Sequence, residues 1–497
     1  MNPEGALLAV DQGTSSSRAI AFTPSGEILE VAQHALGQIY PRPGWVEQDP
    51  EIIIATALKS MHEVVTRLRQ RSIEVIAIGL TNQRETTVAW NRRTGLAIYN
   101  AISWQDRRTE DLCHQLAAQG EEERLATRTG LRLDPYFSAG KMSWILDNVP
   151  EARAMANRGE LALGTIDSFL ISRLARTAPH VTDASNASRT ALYDIRVGRW
   201  DAELCSLFNV PIDCLAEVRD CAGEFAMTDP GVLGARIPIT GVAGDQQAAL
   251  MGQAALHEGD VKGTYGTGAF LMLNTGEHFV RSTRRLLTTI AYRIGGRTTY
   301  ALEGSILSAG ATIQWLRDGL GLFDRFEDVE PLANSTPDSA GVYLVPAFAG
   351  LGAPYWELGA RGAIVGLTRS SNRAHLARAG LDSAVFQTRD LLDAMRVDGV
   401  TPAALKVDGG MTRNALLLQR LADILEIPIQ RPRNVEATAW GAACLAGLGA
   451  GVYRSLHETE ALWRPETTFM PQLDSETRQR ELDGWRAALR AVLSRGQ

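Results

Sequence analysis

Ala6-Leu7-Leu8-Ala9-Val10-Asp11-Gln12-Gly13-Thr14-Ser15-Ser16-Ser17-Arg18-Ala19-Ile20-Ala21-Phe22 is the stretch whose reading decides the fold. Two apolar runs flank a turn of glycine and hydroxyl residues, so it reads as strand, tight loop, strand. Gly13 has access to backbone angles closed to other residues. The four hydroxyls after it, of Thr14, Ser15, Ser16 and Ser17, form with their N–H groups a concave ring of donors suited to phosphate oxygens. Asp11 ends the first strand, where a carboxylate suits Mg²⁺ held through water, and Arg18 adds a fixed positive charge beside the loop. Taken alone, such a hairpin is more often a plain turn.

The second half of the chain repeats it. Asp260-Val261-Lys262-Gly263-Thr264-Tyr265 leads into Gly266-Thr267-Gly268, and Ala269-Phe270-Leu271-Met272-Leu273 leads out. Strand, Gly-Thr loop, strand near the start of each half predicts two related α/β domains facing each other across a nucleotide. A length of 497 residues suits this, giving two domains of about 250 residues. The expected division is 1–252 and 253–497, with the connection near 253–260.

Fifty Lys and Arg against 57 Asp and Glu leave a net charge of −7, and no basic block is present. Nucleic-acid binding is therefore not expected, and anionic ligands must be held by local donors. Cys113, Cys205, Cys214, Cys221 and Cys444 are odd in number and lack CxxC spacing. They read as buried free thiols in a reducing cytoplasm. The first apolar run has no basic flank, and the run 437–448 is too short and glycine-rich to span a bilayer, so neither a signal peptide nor a membrane segment is expected.

Along the chain, 28–32 reads as the third strand of an antiparallel meander, 40–50 as a proline loop, 51–70 as a helix and 75–80 as a buried strand. Arg84 and Glu85 follow that strand, at the end of a sheet where ligands sit in open α/β folds. They offer the donor fork and acceptor that a neutral polyol needs; in isolation the same pair reads as a surface ion pair. Residues 98–103 read as a strand delivering Trp104, followed by a charged helix from Asp106. Residues 134–141 read as a loop carrying Tyr136 into a helix over 142–148, and 164–169 and 182–190 as structural capping segments. The strand 237–243 runs into Gly244-Asp245-Gln246-Gln247, with a helix from Ala248. Asp245, a carboxylate at a strand's end, is the type of group that takes a proton from a hydroxyl nucleophile, and in isolation it reads equally as a helix cap.

Further on, 298–304 and 404–407 read as strands, 311–316 as a helix opened by Ser308-Ala309-Gly310 and bearing Gln314, and 375–396 as the longest amphipathic helix. Gly310, Gly410 and Asn414 suit a flat base lying against backbone, although without the other loops they read as helix–strand packing. Small residues over 436–449 suit a helix packed closely on a sheet. The last helix is expected over 474–495, with Trp485, Leu489 and Val492 on its apolar stripe.

Taken together, the strings at 11–18, 40–50, 81–87, 134–141, 244–247, 264–268, 346–356 and 408–414 resemble the FGGY family of carbohydrate kinases, nearly end to end. The resemblance implies an α/β fold with two actin-like ATPase (RNase H-like) domains flanking a central cleft. It implies an enzyme transferring the γ-phosphoryl group of ATP to a terminal hydroxyl of glycerol. Glycerol contacts are implied at Arg84, Glu85, Trp104, Tyr136, Asp245, Gln246 and Phe270. The phosphates are implied against Thr14, Ser15, Ser16, Arg18 and Thr267, and the nucleoside against Gly310, Gln314, Gly410 and Asn414. Asp11 would serve Mg²⁺, Asp245 would be the general base, and a homodimer or homotetramer would be the assembly.

There are departures from the family pattern. Gly140 stands where Thr is usual and Gly380 where small or β-branched residues are usual, so looser packing is expected at both. The stretch 228–236 looks shortened relative to the loop that binds a sugar-bisphosphate inhibitor in some members, although Gly234 and Arg236 remain; no histidine lies between His180 and His257. Two other readings stand beside this one. A tetritol or pentulose acceptor is opposed by Trp104 and Phe270, which close the pocket around a short carbon chain. A non-enzymatic actin-like module driven by ATP has no use for Arg84, Glu85 and that aromatic pair. Neither a GxxxxGK[ST] loop nor an HRD string occurs.

Overall fold

The computed structural model describes residues 5–357, 359–433 and 436–494. The opening stretch forms β1 (Ala6–Gln12) and β2 (Ser16–Phe22), antiparallel, with Leu7 opposite Phe22 and Asp11 opposite Arg18. The turn closes on a Gly13 N–H to Ser16 carbonyl bond of 2.9 Å. Gly13 keeps a backbone angle open to any residue, so the turn does not use the freedom expected of it. The meander continues into β3 (Ile28–Ala35), and helix α1 (Pro50–Gln70) begins with a proline capped by Asp49. The chain then adds β4 (Val75–Asn82) beside β1 and, much later, β5 (Ala222–Met227) and β6 (Pro238–Gly244). The sheet order is β5-β6-β4-β1-β2-β3, with β1, β4 and β6 mutually parallel. Their carboxyl ends, carrying Asp11, Arg84 and Asp245, therefore lie along one edge.

The second sheet repeats this plan. It uses β7 (Val261–Tyr265), β8 (Ala269–Gly276), β9 (Leu287–Ile294), β10 (Arg297–Ile306), β11 (Leu405–Asp408), β12 (Ile429–Pro432) and β13 (Pro465–Phe469). The order is β9-β10-β8-β7-β11-β12-β13. Three antiparallel strands, two parallel ones and an antiparallel edge strand recur in both sheets, with β9 as an addition. The duplication read from two loops is thus a duplication of whole sheets.

The remaining helices used below are α2 (Ser138–Asn148), α3 (Asp245–Gly252), α4 (Gly310–Asp318), α5 (Arg373–Val397), α6 (Ala437–Gly449) and α7 (Ser475–Leu493). Although α6 comes from the second half, it packs on the first sheet, where Trp440 and Ala442 join Leu7, Ala9, Phe22 and Ala77 in one core. It crosses α3 at Gly441, where a Cβ would lie 1.8 Å from the Ala248 carbonyl oxygen. Only glycine permits that approach.

Several element bounds differ from the sequence reading. The strand expected over 98–103 is reduced to Ala101–Ile102, and the charged helix starts later, at Glu110–Ala118, because Asp106 turns back to accept the Val46 N–H at 2.6 Å. Helix α2 begins at Ser138 rather than residue 142, and α3 begins at Asp245 rather than residue 248. Helix α5 is the longest, at 25 residues, but its run 377–388 is buried all round rather than along one stripe. At Gly380 a Cβ would meet Leu316 Cδ1 at 2.4 Å, so packing there is tight, not loose. In α7, Trp485, Leu489 and Val492 are buried as read, while Arg495 lies outside the described residues. All five cysteines are free and buried. Among the described residues no helix is long and apolar enough to cross a membrane.

Candidate active site

Arg84 and Glu85 follow β4, and Glu85 takes φ +62°, a left-handed backbone uncommon for a non-glycine residue that turns both side chains inward. They are 3% and 1% exposed, so this is no surface pair. Arg84 Nη1 and Nη2 donate to the two carboxylate oxygens of Glu303 at 2.5 and 3.2 Å, across from β10 of the other sheet. Arg189 completes the set, its Nε donating to Glu85 at 2.6 Å and its Nη2 to Glu303 at 2.9 Å. Burial disfavours every one of these charges, so each needs its partners. Against burial, Arg189 and Arg84 bring the Glu303 carboxyl down to about 2, and Glu303 and Glu85 hold Arg84 well above the ordinary guanidinium value.

Asp245 opens α3 at the end of β6, with its side chain 31% exposed and Oδ1 3.3 Å from Arg84 Nε. Burial raises its carboxyl to about 6 against the pull of Arg84, with Glu85 and Asp11 adding to the rise and Lys262 opposing it. A carboxylate tuned upward toward neutrality is a better base than an ordinary one. Next to it, Gln246 accepts through Oε1 from buried Lys262, which leaves the amide N–H₂ free to donate. Lys262 also donates to Thr264 at 3.0 Å, and burial lowers its pKa to about 8. Phe270 lies opposite Ser305 in the strand pairing and, by alternation, on the face of the second sheet that carries Glu303.

Trp104 and Tyr136 form an edge-to-face pair with centroids 5.7 Å apart, and the Tyr136 hydroxyl accepts from Arg84 at 3.4 Å. Trp104 Nε1 donates to the Thr14 hydroxyl at 2.9 Å, tying this wall to the first hairpin turn. Tyr136 is held by Lys141, whose ammonium donates to the carbonyls of Pro135, Tyr136 and Phe137 at 2.8, 2.6 and 2.9 Å. That clasp is why α2 starts early. Gly140, one residue before Lys141, lies where a Cβ would be 2.9 Å from Thr109 Oγ1, so packing is close there too.

In the first hairpin turn Ser15 is exposed, and the Ser16 hydroxyl accepts from Gln33 at 2.9 Å. Arg18 pairs with Asp11 at 2.6 Å and with Glu436 at 2.7 Å. A separate cavity of about 590 Å³ brings together Thr267, Gly310, Gln314, Gly410 and Asn414. It is lined from the second half alone and does not include Thr14, Ser15, Ser16 or Arg18. Stretch 228–236 holds a one-turn helix, Pro230–Leu233, ended by Gly234 at φ +68°, with Arg236 exposed.

Sequence reading missed Arg189, Glu303, Lys141 and Lys262. Residues 182–190 read as capping structure, yet Arg189 is wholly buried in the charged set. The available signal was a charge in the interior of each of two strands with an apolar neighbour before it, Lys262 after Val261 in β7 and Glu303 after Leu302 in β10. Such a residue demands a partner.

The chain matches the model of the FGGY family of carbohydrate kinases, N-terminal domain, over residues 6–252 and that of the C-terminal domain over 261–450. It is 53% identical to a glycerol kinase of Rhodospirillum centenum over 494 residues, 99% of each chain. It is 52% identical to glycerol kinase 1 of Pseudomonas aeruginosa over 98% of this chain and 99% of that one. The crystal structure of Plasmodium falciparum glycerol kinase with ADP superposes with a TM-score of 0.93 at 36% identity, covering 99% of this chain and 98% of that one. With family models covering most of its length, this chain belongs to the FGGY family of carbohydrate kinases.

Proposed function

We propose that this chain transfers the γ-phosphoryl group of ATP to a terminal hydroxyl of glycerol, giving sn-glycerol 3-phosphate and ADP. The observation that carries the reading is Asp245, part-open to the cleft, 3.3 Å from a buried guanidinium and on the sheet edge that also carries Asp11 and the Thr14–Ser16 turn. Asp245 accepts the proton of the attacking hydroxyl. Arg84, Glu85, Tyr136 and Gln246 hold the polyol's oxygens, while Trp104 and Phe270 wall its carbons. Thr14, Ser15, Ser16, Arg18 and Thr267 bind phosphate, and the cavity at Gly310, Gln314, Gly410 and Asn414 takes the nucleoside.

No cluster of three or more ligating side chains able to cage a metal exists among the described residues. A single carboxylate at Asp11 instead fits Mg²⁺ carried by the nucleotide phosphates, which supplies charge neutralisation there when bound. Most of the rate comes from positioning and charge stabilisation. Water competes with the acceptor for ATP, so closure of the cleft around the polyol belongs to this reading. Five buried free thiols fit a cytoplasmic enzyme, taken here as a homodimer or homotetramer.

The test is ADP release from Mg-ATP with glycerol, dihydroxyacetone, erythritol or xylulose, and with no acceptor. A site that hydrogen-bonds each hydroxyl discriminates by up to about 10⁴-fold against an acceptor that leaves a partner unmet. Turnover with glycerol far above the others supports the reading. Equal ADP release without any acceptor overturns it in favour of an ATP-driven module, and preference for erythritol or xylulose reassigns the acceptor.

A further inference from the structure

We infer that Glu303 is a positioning residue for the base: by occupying both terminal nitrogens of Arg84, it prevents that guanidinium from closing as a two-pronged ion pair on Asp245. The inference rests on Asp245 being the general base. Arg84 has one fork to give, and the geometry shows where it goes. Nη1 and Nη2 face Glu303 at 2.5 and 3.2 Å, with longer bonds of 3.4 Å each to Gln247 Oε1 and the Tyr136 hydroxyl, and only the Nε edge faces Asp245, at 3.3 Å. A fork-to-carboxylate pair is the strongest arrangement open to an arginine. On Asp245 it would occupy the lone pairs that must receive the hydroxyl proton.

Glu303 is well placed to compete for the fork. It is fully buried in the interior of β10, opposite Met272 of β8, so its position is set by a sheet rather than a loop. Arg189 donates to the same Glu303 oxygen that Arg84 Nη2 uses and binds Glu85 at 2.6 Å, so Glu303 keeps its charge and Glu85, 3.8 Å from Arg84 Nε, is held mainly by Arg189. The charged groups that face Asp245 are Arg84 and Glu85 from the end of β4, Lys262 from β7 and Asp11 from β1. Neutralising Glu303 removes the charged anchor of the Arg84 fork, leaving only the long neutral bonds to Gln247 and Tyr136 to compete with Asp245, and removes a nearby negative charge. Both effects favour ionised Asp245 and weaken it as a base.

The experiment is the pH profile of kcat at saturating ATP and glycerol for the native enzyme, Glu303→Gln, Glu303→Asp and Asp245→Asn, with melting curves for each. For Glu303→Gln the acid limb moves to lower pH, so that the fraction of plateau activity at about pH 5.5 rises about threefold while plateau kcat falls about tenfold. KM for ATP stays within about twofold, because the nucleotide cavity lies elsewhere. Glu303→Asp keeps the charge, and with it the fold, but withdraws the carboxylate by one methylene. It shifts the limb in the same direction by less, and it decides the matter if Glu303→Gln does not fold. An acid limb unmoved in the folded variants overturns the inference and leaves Glu303 a structural counter-ion. Native kcat in Asp245→Asn removes the base reading, and this inference with it.

Discussion

Around Asp245 four ionised side chains, Arg84, Glu85, Arg189 and Glu303, are each 3% exposed or less and joined by direct charge contacts. The cavity at Gly410 has no fully buried charge: glycine backbone and the neutral groups of Thr267, Gln314 and Asn414 share its lining with Arg317, Glu327, Glu330 and Arg413, which are half-buried or exposed. Two of these charges have partners outside the lining: Arg317 pairs with Asp318, and Glu330 accepts the Leu416 N–H. Under the proposed function, the difference follows from what each region would hold. A small neutral polyol needs many directed hydrogen bonds, which demand buried charges that are stable only when already paired. A flat base needs room and close backbone, which glycines give without charge. Substitutions in the first region should therefore register in chemistry and stability together, and those in the second in nucleotide affinity alone.

The sharpest test within the acceptor region separates those two readouts. Asp245→Asn should lower kcat by at least about 10²-fold, the usual contribution of a positioned base. The native rate should fall as pH drops through about 6, where the carboxyl takes up its proton. The stability effect has the opposite sign. Because the folded value, about 6, lies above the ordinary 3.8, the folded protein binds this proton more tightly than the unfolded chain does. Stability is thus lost as pH rises from the unfolded value through the folded one, and the cost persists at neutral pH. Asn removes that cost, so the melting temperature at neutral pH should hold or rise while activity collapses. A parallel fall in both would break the separation.

Arg189→Met should strand Glu85 and Glu303 together. Breaking a buried pair by removing one partner costs about 3–5 kcal/mol. The denaturation midpoint should fall accordingly, and the KM for glycerol should rise more than that for ATP. A loss below about 1 kcal/mol would mean that solvent reaches the network, and the contrast between the regions would fail.

The contrast also accounts for what the sequence allowed to be read. The phosphate hairpins, the strand ends and the glycines of the cavity are local features, legible within a dozen residues because turn chemistry is local. The two-sheet plan followed from recognising one hairpin twice. The charged set was only half legible: Arg84 and Glu85 adjoin in the chain, but Arg189 and Glu303 come from 104 and 219 residues away. Nothing within 182–190 marks Arg189 as a counter-ion, since partner choice across the cleft is tertiary. Boundaries failed for the same reason. Helix α2 starts at Ser138 because Lys141 binds three carbonyls behind it, and no propensity scale contains that clasp.

On the nucleotide side, Gly410→Leu offers a clean test. A Cβ at Gly410 meets nothing within 4 Å, so the larger side chain enters the cavity without pressing on the protein. Nucleotide affinity should fall about tenfold, ~1.4 kcal/mol, with the melting temperature of the free protein and the KM for glycerol unchanged. A change in melting temperature would show that the cavity wall is packed, not open.

The smallest effect is expected at Gly140, where the two kinds of readout should nearly merge. Gly140→Thr places a Cβ 2.9 Å from Thr109 Oγ1 and 3.1 Å from Thr109 Cβ. Overpacking of this kind costs about 1 kcal/mol at its low end. The low end applies because the neighbour is a side chain whose buried hydroxyl has no hydrogen-bond partner among the described residues, so turning it aside breaks no bond. Because Lys141 follows directly and grips the carbonyl of Tyr136 at 2.6 Å, any displacement of α2 should reach the acceptor wall first. The KM for glycerol should rise less than about threefold and that for ATP not at all. Adding Thr109→Ala should restore both stability and KM. If the double variant stays impaired, the strain lies in the helix backbone rather than in the Thr109 contact, and the acceptor wall is more rigidly built than its side-chain clasp alone implies.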